Sequence, residues 1–300
     1  MKRRTFIKQT SLTALSISAF GAIQWNGKSF IGDSPTTTDI LGPFYRPGSP
    51  IRSNIVPLGS KGIPLRLSGV VYMENGKTPH DNALIEIWQC NENQEYDNSS
   101  DDYLCRGALR TGKDGKYEFS TIIPVPYKAN PKNEASWRPA QIHMRVSSPS
   151  QQDLITQIYF KGDKYIDTDT SSSAPESANR ILEITTNTKN EKQVVFDVIM
   201  SKTFPLNDQV YKKIEGLYRT DEKIADSERI FEFARKDDIL FVKLKGQLVA
   251  GLKYIGENTF EGGMGYPKVK FDLQQGGNVK ASIEMRNVKY AAEKFLKYTE

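Results

Sequence analysis

Short runs that alternate between two faces dominate the first two hundred positions of the chain. In ALIEIWQC, Trp88 faces one way and Ile87 the other, as in a half-buried strand. LRLSGVVYM, KDGKYEFSTI, QIHMRVS, LITQIYF and KQVVFDVIM repeat the pattern, and the Asp114-Gly115 pair predicts a hairpin turn. No long helical periodicity occurs in this part of the sequence. Short strands separated by turns predict a β-sandwich or a β-barrel.

The pattern changes near residue 205. LNDQVYKKIEGLY predicts a short helix that leads into a strand, and RIFEFAR, DILFVKLKG, LVAGLKYI and NVKASIEMR predict further short strands joined by turns. We therefore predict an all-β chain, with one β unit over residues 32–205 and a small antiparallel β domain over residues 206–300. Turn signals crowd residues 32–66, which we call the arm and expect to lie over the first unit.

The first 31 residues have the composition of an export signal. They contain Lys2, Arg3, Arg4, Lys8 and Lys28 but no acidic residue, and the apolar stretch TSLTALSISAFGAI follows the charged start. The order KRRTFIK resembles a twin-arginine signal, which implies an exported, periplasmic protein. A basic amphipathic first helix is the alternative interpretation.

Charge and hydropathy exclude two classes of partner. The formal net charge of +5 comes from the first 31 residues, so the remainder is near neutral and indicates no nucleic-acid partner. No later apolar run reaches the roughly 18 residues of a membrane span, so no span is expected in the mature chain.

Cys90 and Cys105 are the only cysteines, too few for a structural zinc site. They form either a disulfide or two separate thiols. The oligomeric state stays open.

One strand carries an unusual set of polar side chains. In WRPAQIHMRV, alternation places Gln141, His143 and Arg145 on one face, with same-face neighbours about 7 Å apart. Two side chains of such a strand can converge on one metal ion. The chain has only two histidines, however, and the other, His80, lies far upstream in the turn GKTPHDNA.

Several separated motifs resemble the intradiol ring-cleavage dioxygenases, the family of catechol 1,2-dioxygenase and protocatechuate 3,4-dioxygenase. They are GPFYRPGSP, ALIEIWQCN, DGKYEFSTIIPVPY, WRPAQIH and LITQIYFKGDKY, in the family's order over about residues 38–170. The short distance between PVPY and WRPA is most similar to the protocatechuate-type branch. The resemblance implies a two-sheet β-sandwich and an oxidoreductase that opens the ring of a small aromatic diol with O2.

The resemblance also implies a non-haem Fe(III) site built from two tyrosinates and two histidines. Tyr96 follows the IEIWQ strand and Tyr127 ends the PVPY segment, as the two tyrosine ligands do in the family. His143 matches the second histidine of the family pattern WRPAHIH. Gln141 stands in place of the first, and its amide is a weaker donor than imidazole.

Two further residues match family positions around the bound diol. The resemblance implies that Arg138 stabilises negative charge that develops on the substrate, and that Gln157 lines the pocket. Retention of these two residues and of both tyrosines favours an active enzyme, whereas Gln141 favours a non-catalytic relative whose metal is lost or weakened.

Three interpretations therefore stay open. The chain is an iron-dependent intradiol dioxygenase in which Gln141 is a weak or structural ligand, a non-catalytic relative that binds aromatic or polymeric ligands, or an enzyme of different chemistry on a changed metal site. His80 is a remote candidate for the missing imidazole.

The C-terminal segments IEGLYRTDE and LFVKLKGQ resemble small lipocalin-like domains of exported bacterial enzymes, which implies an accessory or binding module.

Overall fold

The computed structural model describes residues 36–149, 151–202, 206–224, 227–236, 239–273, 278–285 and 288–295, together with three short strands upstream of them. The strands up to residue 202 are β1 (Ser16–Ser18), β2 (Gly21–Trp25), β3 (Phe30–Gly32), β4 (Pro64–Tyr72), β5 (Leu84–Trp88), β6 (Arg106–Arg110), β7 (Lys116–Ile122), β8 (Tyr127–Lys128), β9 (Trp137–Arg138), β10 (Gln141–Ser148), β11 (Gln151–Phe160), β12 (Ile181–Leu182), β13 (Thr185–Thr186), β14 (Lys192–Val195), β15 (Val198–Ile199) and β16 (Ser201–Lys202). The remaining strands are β17 (Gly216–Ile224), β18 (Ser227–Lys236), β19 (Ile239–Leu244), β20 (Gln247–Gly256), β21 (Thr259–Glu261), β22 (Lys268–Asp272), β23 (Lys280–Met285) and β24 (Val288–Phe295). The described helices are α1 (Asp208–Ile214) and the 3-10 helices Glu134–Ser136, Pro175–Arg180 and Gly263–Gly265.

Two sheets pack face to face in the first unit. One has the strand order β12-β11-β10-β5-β6, with β16 also paired to β11, and the other has the order β13-β14-β4-β15, with β7 paired to β4. Apolar side chains from both inner faces fill the space between them, because each sheet is stable only when its apolar face is covered. This core includes Leu67, Ile85, Ile87, Phe119, Ile142, Met144 and Val198.

The register of the first sheet decides which face carries the polar residues. Strand β10 lies antiparallel between β5 and β11, and His143 pairs with Trp88 on one side and Gln157 on the other. Because side chains alternate across a strand, Ile142 and Met144 enter the core while His143 lies on the opposite, outer face. The arm covers that outer face, as the backbone N–H of Asp39 donates to the carbonyl oxygen of Ile155 at 2.9 Å.

Strands β17 to β24 form a closed antiparallel barrel in which each strand pairs with its neighbours along the chain and β24 returns to β17. Closure leaves no free strand edge. Apolar and aromatic side chains fill the interior, among them Tyr218, Phe231, Phe233, Phe260, Phe271 and Ile283. Helix α1 precedes the barrel, and the side chain of Asn207 caps it by accepting the N–H of Gln209 at 2.8 Å.

The structure confirms the all-β fold class, the two-sheet sandwich and the antiparallel second unit. The boundaries at residues 31 and 205 stay predictions, and most of the predicted export signal lies outside the described residues. No helix in the described ranges is long and apolar enough to cross a membrane.

The hairpin predicted at Asp114-Gly115 is wrong. The turn forms, but it connects β6 of one sheet to β7 of the other, and these strands pair with β5 and β4 respectively. A two-residue turn signal reports local backbone geometry only. Here the two strands bury their apolar faces from opposite layers of the sandwich, so the chain crosses between sheets at this turn.

Candidate functional site

The imidazole of His143 lies on the outer face of the first sheet and is fully buried. Its ring stacks on Trp88, with centroids 5.0 Å apart and planes 9° from parallel. Burial lowers the pKa of His143 well below its usual value, and the positive charges of Arg138 and Arg106 lower it further. The ring is therefore neutral at ordinary pH, which is the form that can donate a lone pair to a metal.

The arm closes over this imidazole at a glycine. Gly42 has a φ of +74°, and a Cβ there would lie 3.1 Å from Cε1 of His143. Both the backbone conformation and the close approach therefore favour glycine. Two residues further on, Phe44 stacks on Tyr96, with centroids 4.2 Å apart. The GPFY motif thus forms one wall of the site.

Tyr96 and Tyr127 come from separate loops and strands but meet beside His143. Tyr127 is on β8, where it pairs with Arg138 on β9, and Tyr96 lies in the loop after β5. The two tyrosine rings are 5.3 Å apart, and the ring of Tyr96 is 6.1 Å from that of His143. The structure therefore brings together three residues that are far apart in sequence.

Burial raises the pKa of both tyrosine hydroxyls. For Tyr96 the neighbouring Tyr127 raises the pKa further, whereas for Tyr127 the Arg138 guanidinium opposes the effect of burial. The Tyr96 hydroxyl oxygen is buried and makes no hydrogen bond of standard geometry with the described residues. Without a cation both phenols stay protonated, and a bound cation would favour their ionised form.

Gln141 faces the same space as His143. Its Nε2 lies 3.0 Å from Nε2 of His143, and its Oε1 is buried without a hydrogen-bond partner in the described chain. The side chain is almost completely buried, so this oxygen is shielded from bulk solvent. We call Tyr96, Tyr127, Gln141 and His143 the ligand cluster.

Arg138 lies next to the ligand cluster and is held by a carboxylate. Its Nε and Nη2 donate to the two oxygens of Asp169 at 2.8 and 3.2 Å, and Nη2 also donates to Oε1 of Gln157 at 3.2 Å. Burial lowers the pKa of Arg138, but Asp169, together with Tyr159 and Tyr127, outweighs that effect, and the pKa lies above its usual value. The guanidinium therefore carries a fixed positive charge beside Tyr127.

Gln157 is oriented from its other side by the arm. Its Nε2 donates to the carbonyl oxygen of Ile40 at 2.7 Å, and the carboxylate of Asp39 accepts a hydrogen bond from Tyr159 at 2.8 Å. Arg180, fully buried, forms an ion pair with the same carboxylate. A buried polar network thus links the arm, β11 and Arg138.

The structure brings the six predicted site residues into one region. The residues that hold them in place were not predicted from the sequence. Asp169 lies in the loop KYIDTDT, and Asp39 lies in the arm, where neither spacing nor residue type distinguishes them from ordinary surface acids. Only their burial and their arginine partners identify them. The alternation in ALIEIWQC predicted that Trp88 and Ile87 lie on opposite faces, and the structure shows that the Trp88 face is the one that carries His143.

His80, Cys90 and Cys105 take no part in the ligand cluster. His80 lies at the opposite end of β5 from Trp88, where its carbonyl oxygen accepts a hydrogen bond from Thr111 at 2.6 Å. Cys90 and Cys105 are separate buried thiols, and burial raises the pKa of Cys90 to about 11. The disulfide alternative is therefore wrong for this structure.

The donor atoms of the ligand cluster fit a hard, highly charged metal ion. Two phenol oxygens, one neutral imidazole and one amide converge, and buried polar atoms of Tyr96, Gln141 and His143 make no hydrogen bond of standard geometry within the described chain. No group of three or more His, Cys, Asp or Glu side chains suited to a metal occurs elsewhere in those residues. Any iron would therefore depend on the tyrosines.

Comparison with known proteins identifies the family. Residues 40–202 match the Dioxygenase_C family, described as dioxygenase, and this range contains the ligand cluster, Arg138 and Gln157. The chlorocatechol 1,2-dioxygenase of Rhodococcus opacus is 36% identical over 158 residues, which are 46% of this chain and 61% of that relative. Catechol 1,2-dioxygenase 2 of Acinetobacter lwoffii is 35% identical over 151 residues, 45% of this chain and 54% of the relative. The match thus spans little more than half the length of these curated relatives.

Solved structures agree with the fold of the sandwich. Catechol 1,2-dioxygenase from an Acinetobacter species superposes with a TM-score of 0.51 at 24% identity, over 57% of this chain and 64% of that one. The 3-chlorocatechol 1,2-dioxygenase of Rhodococcus opacus gives a TM-score of 0.50 at 24% identity, over 56% of this chain and 72% of that one. The family match over more than half the chain shows that the protein belongs to the intradiol dioxygenase family, and the solved structures agree with its fold.

Proposed function

We propose that the protein is an Fe(III)-dependent oxidoreductase that opens the ring of a catechol-type diol with O2 between the two hydroxyl-bearing carbons. One observation carries the proposal: Tyr96, Tyr127, His143 and Gln141 converge in one buried cluster although they come from three different parts of the sandwich. Relatives at 35–36% identity carry the names catechol and chlorocatechol 1,2-dioxygenase.

Tyr96, Tyr127 and His143 would hold the iron, with the Gln141 amide as a weaker fourth donor. When bound, Fe(III) supplies the Lewis acidity and redox activity that make an aromatic diol reactive towards O2. The raised pKa of both tyrosines means that iron loading must displace their phenolic protons. Low pH should therefore oppose loading.

Arg138 would stabilise negative charge on the diol as the ring is attacked. Its guanidinium is buried, permanently charged and fixed in orientation by Asp169, so no reorganisation is needed when charge develops. Gln157, held between Arg138 and the arm, would position the substrate beside that charge. Phe44, stacked on Tyr96, and Gly42, packed against His143, close one side of the ligand cluster.

A second candidate function is that of a non-catalytic relative that binds aromatic or polymeric ligands. One observation favours it: the Gln141 amide nitrogen lies within hydrogen-bond distance of Nε2 of His143. An N–H donated there would occupy the lone pair that a metal needs. The two functions therefore differ in whether iron displaces the Gln141 amide from Nε2 of His143.

The test is to purify the chain, load it with Fe(III), and measure iron per chain and the visible phenolate-to-iron absorption. We expect bound iron, colour and ring cleavage of catechol with uptake of O2. Replacing His143 with Gln should weaken iron binding by at least about 10–100-fold, the range known for losses in the shell outside the ligands. His80→Gln is the matched control, since it removes the other histidine and should retain both iron and colour.

Colourless wild-type protein that takes up no iron would reject the proposed enzyme. If Gln141→His then gains iron, colour and ring cleavage, the non-catalytic candidate is supported. Bound zinc or manganese without colour would instead support different chemistry on a changed site.

A further inference from the structure

An aromatic column connects the barrel to the ligand cluster. Phe241 of β19 stacks on Tyr45 of the arm, with centroids 6.0 Å apart and planes 8° from parallel. Tyr45 contacts Trp88 at 5.0 Å, and Trp88 stacks on His143 at 5.0 Å. Four rings from three parts of the chain therefore lie in contact, one after another, and the last belongs to the ligand cluster.

Phe241 faces outward from the barrel. Along β19, Leu240 and Val242 point into the barrel interior, whereas Ile239 and Phe241 pack with Leu41 of the arm in a separate apolar cluster. Phe241 is nevertheless buried, with only 8% of its surface exposed, because the arm and sandwich cover it. Phe241 therefore stabilises the contact between the barrel and the first unit rather than the core of the barrel.

Tyr45 cannot move freely between its neighbours. Its hydroxyl accepts a hydrogen bond from Nη1 of Arg145 at 2.8 Å and donates to the Glu86 carboxylate at 3.2 Å. Both partners are buried and lie on the same outer face of the first sheet as His143. A displacement at Phe241 must therefore be taken up by Tyr45 and Trp88, since close-packed interiors transmit strain.

The barrel also contacts the other side of the site. The backbone at Gly263 packs so closely on the arm that a Cβ there would overlap the carbonyl oxygen of Asp39. The Asp39 carboxylate in turn bonds to Tyr159, next to Gln157. The barrel thus holds the arm against the site at two separate places.

We propose that the C-terminal barrel positions the metal-binding imidazole: Phe241, acting through Tyr45 and Trp88, holds the ring of His143 in the orientation that it has in the ligand cluster. Phe241 is a positioning residue and does not contact the ligand cluster itself. The inference rests on the proposed function only in treating His143 as a metal ligand.

The test exploits the presence of only two histidines in the chain. The full-length protein is labelled with ¹³C,¹⁵N-histidine and kept free of paramagnetic iron, so that NMR shows one ring signal for His143 and one for His80. His80→Gln assigns them. Phe241→Ala should shift the His143 signal, because the ring current of Trp88 depends on the stacking geometry, and should leave the His80 signal in place.

Two further variants complete the comparison. Phe241→Tyr keeps the stacked ring and should restore the wild-type His143 signal. Val288→Ala, at a position of the barrel that is 45% exposed, should move neither signal. Phe241→Leu covers the case in which the alanine variant fails to fold, and should shift the His143 signal in the same direction by less.

An unmoved His143 signal in a folded Phe241→Ala or Phe241→Leu variant overturns the inference. So does an equal shift of the His80 signal, because it would show a general loosening of the sandwich. Iron loading supplies the second readout: Phe241→Ala should lower iron affinity by about 10-fold, the low end of the range for residues outside the ligand shell. If wild-type protein binds no iron, the proposed function fails, while the histidine spectra still decide the positioning role.

Discussion

The ion pair between Arg138 and Asp169 allows a quantitative test of how the site is built. Asp169→Asn removes the charge that faces Arg138 but keeps the shape of the side chain. The pair has contacts of 2.8 and 3.2 Å and both side chains are almost fully buried. Removing one member of a buried pair costs about 3–5 kcal/mol, because the other charge is left without compensation. Since Asn retains one acceptor oxygen, we expect the free energy of unfolding to fall by about 3 kcal/mol, the lower value.

The loss of unfolding free energy caused by Asp169→Asn should become smaller as the pH falls. Burial alone would raise the pKa of Asp169, but the hydrogen bond and charge of Arg138, with the N–H groups of Ser172 and Ser171, hold the pKa below the usual 3.8. Because the folded-state pKa is below the unfolded-state value, the carboxylate stabilises the fold above about pH 4 and this contribution disappears as the pH falls through the folded-state pKa. The difference between wild type and Asp169→Asn should therefore be constant from pH 5 to 8 and shrink in acid.

Urea unfolding, monitored by tryptophan fluorescence, measures this difference in the free energy of unfolding, since Trp88 and Trp137 both lie in the sandwich. Asp114→Asn is the control, because Asp114 pairs with Lys116 on the surface and its loss should leave the free energy of unfolding essentially unchanged. A loss below about 1 kcal/mol for Asp169→Asn, typical of a surface pair, would refute the reasoning. So would a loss that persists undiminished in acid.

Three further outcomes are expected. Arg138→Ala should lower kcat for ring cleavage by about 10²–10³-fold with iron retained, as for loss of one preorganised charge-stabilising donor, and unchanged activity would show that its role was misassigned. Burial lowers the pKa of Lys253 to about 7, below the unfolded-state 10.5, so wild-type stability should rise between pH 7 and 10. Lys253→Met should abolish that rise in urea titrations, and a matching rise in the variant would contradict the assignment. Replacing Arg3 and Arg4 with Lys should block export, as measured by cell fractionation, whereas undiminished export would exclude a twin-arginine signal.

Local alternation predicted the part of the site that one strand provides. Residues two apart on a strand share a face whatever the rest of the chain does, so Gln141 and His143 had to lie together. The family motifs predicted that Tyr96 and Tyr127 would join them, and the structure does bring the four side chains together. What Gln141 does there was not predictable, because amide orientation depends on neighbours from other strands and loops.

The buried acids could not be found in the same way. Asp169 and Asp39 resemble surface residues in sequence, and only the folded chain places each against an arginine. The hairpin error at Asp114-Gly115 has the same origin, since a turn motif does not specify which strands pair beyond it.

The sequence by itself determined the all-β class and the strand faces, because periodicity is a property of neighbouring positions. Its resemblance to the family pointed to the six candidate site residues. The tertiary structure alone decided that Cys90 and Cys105 stay separate, that Arg138 is held by Asp169, and that Phe241 of the barrel reaches His143 through two other rings. These contacts join segments far apart in the chain. The Phe241 contact arises because the outer face of the first sheet must be covered, and the arm and barrel cover it.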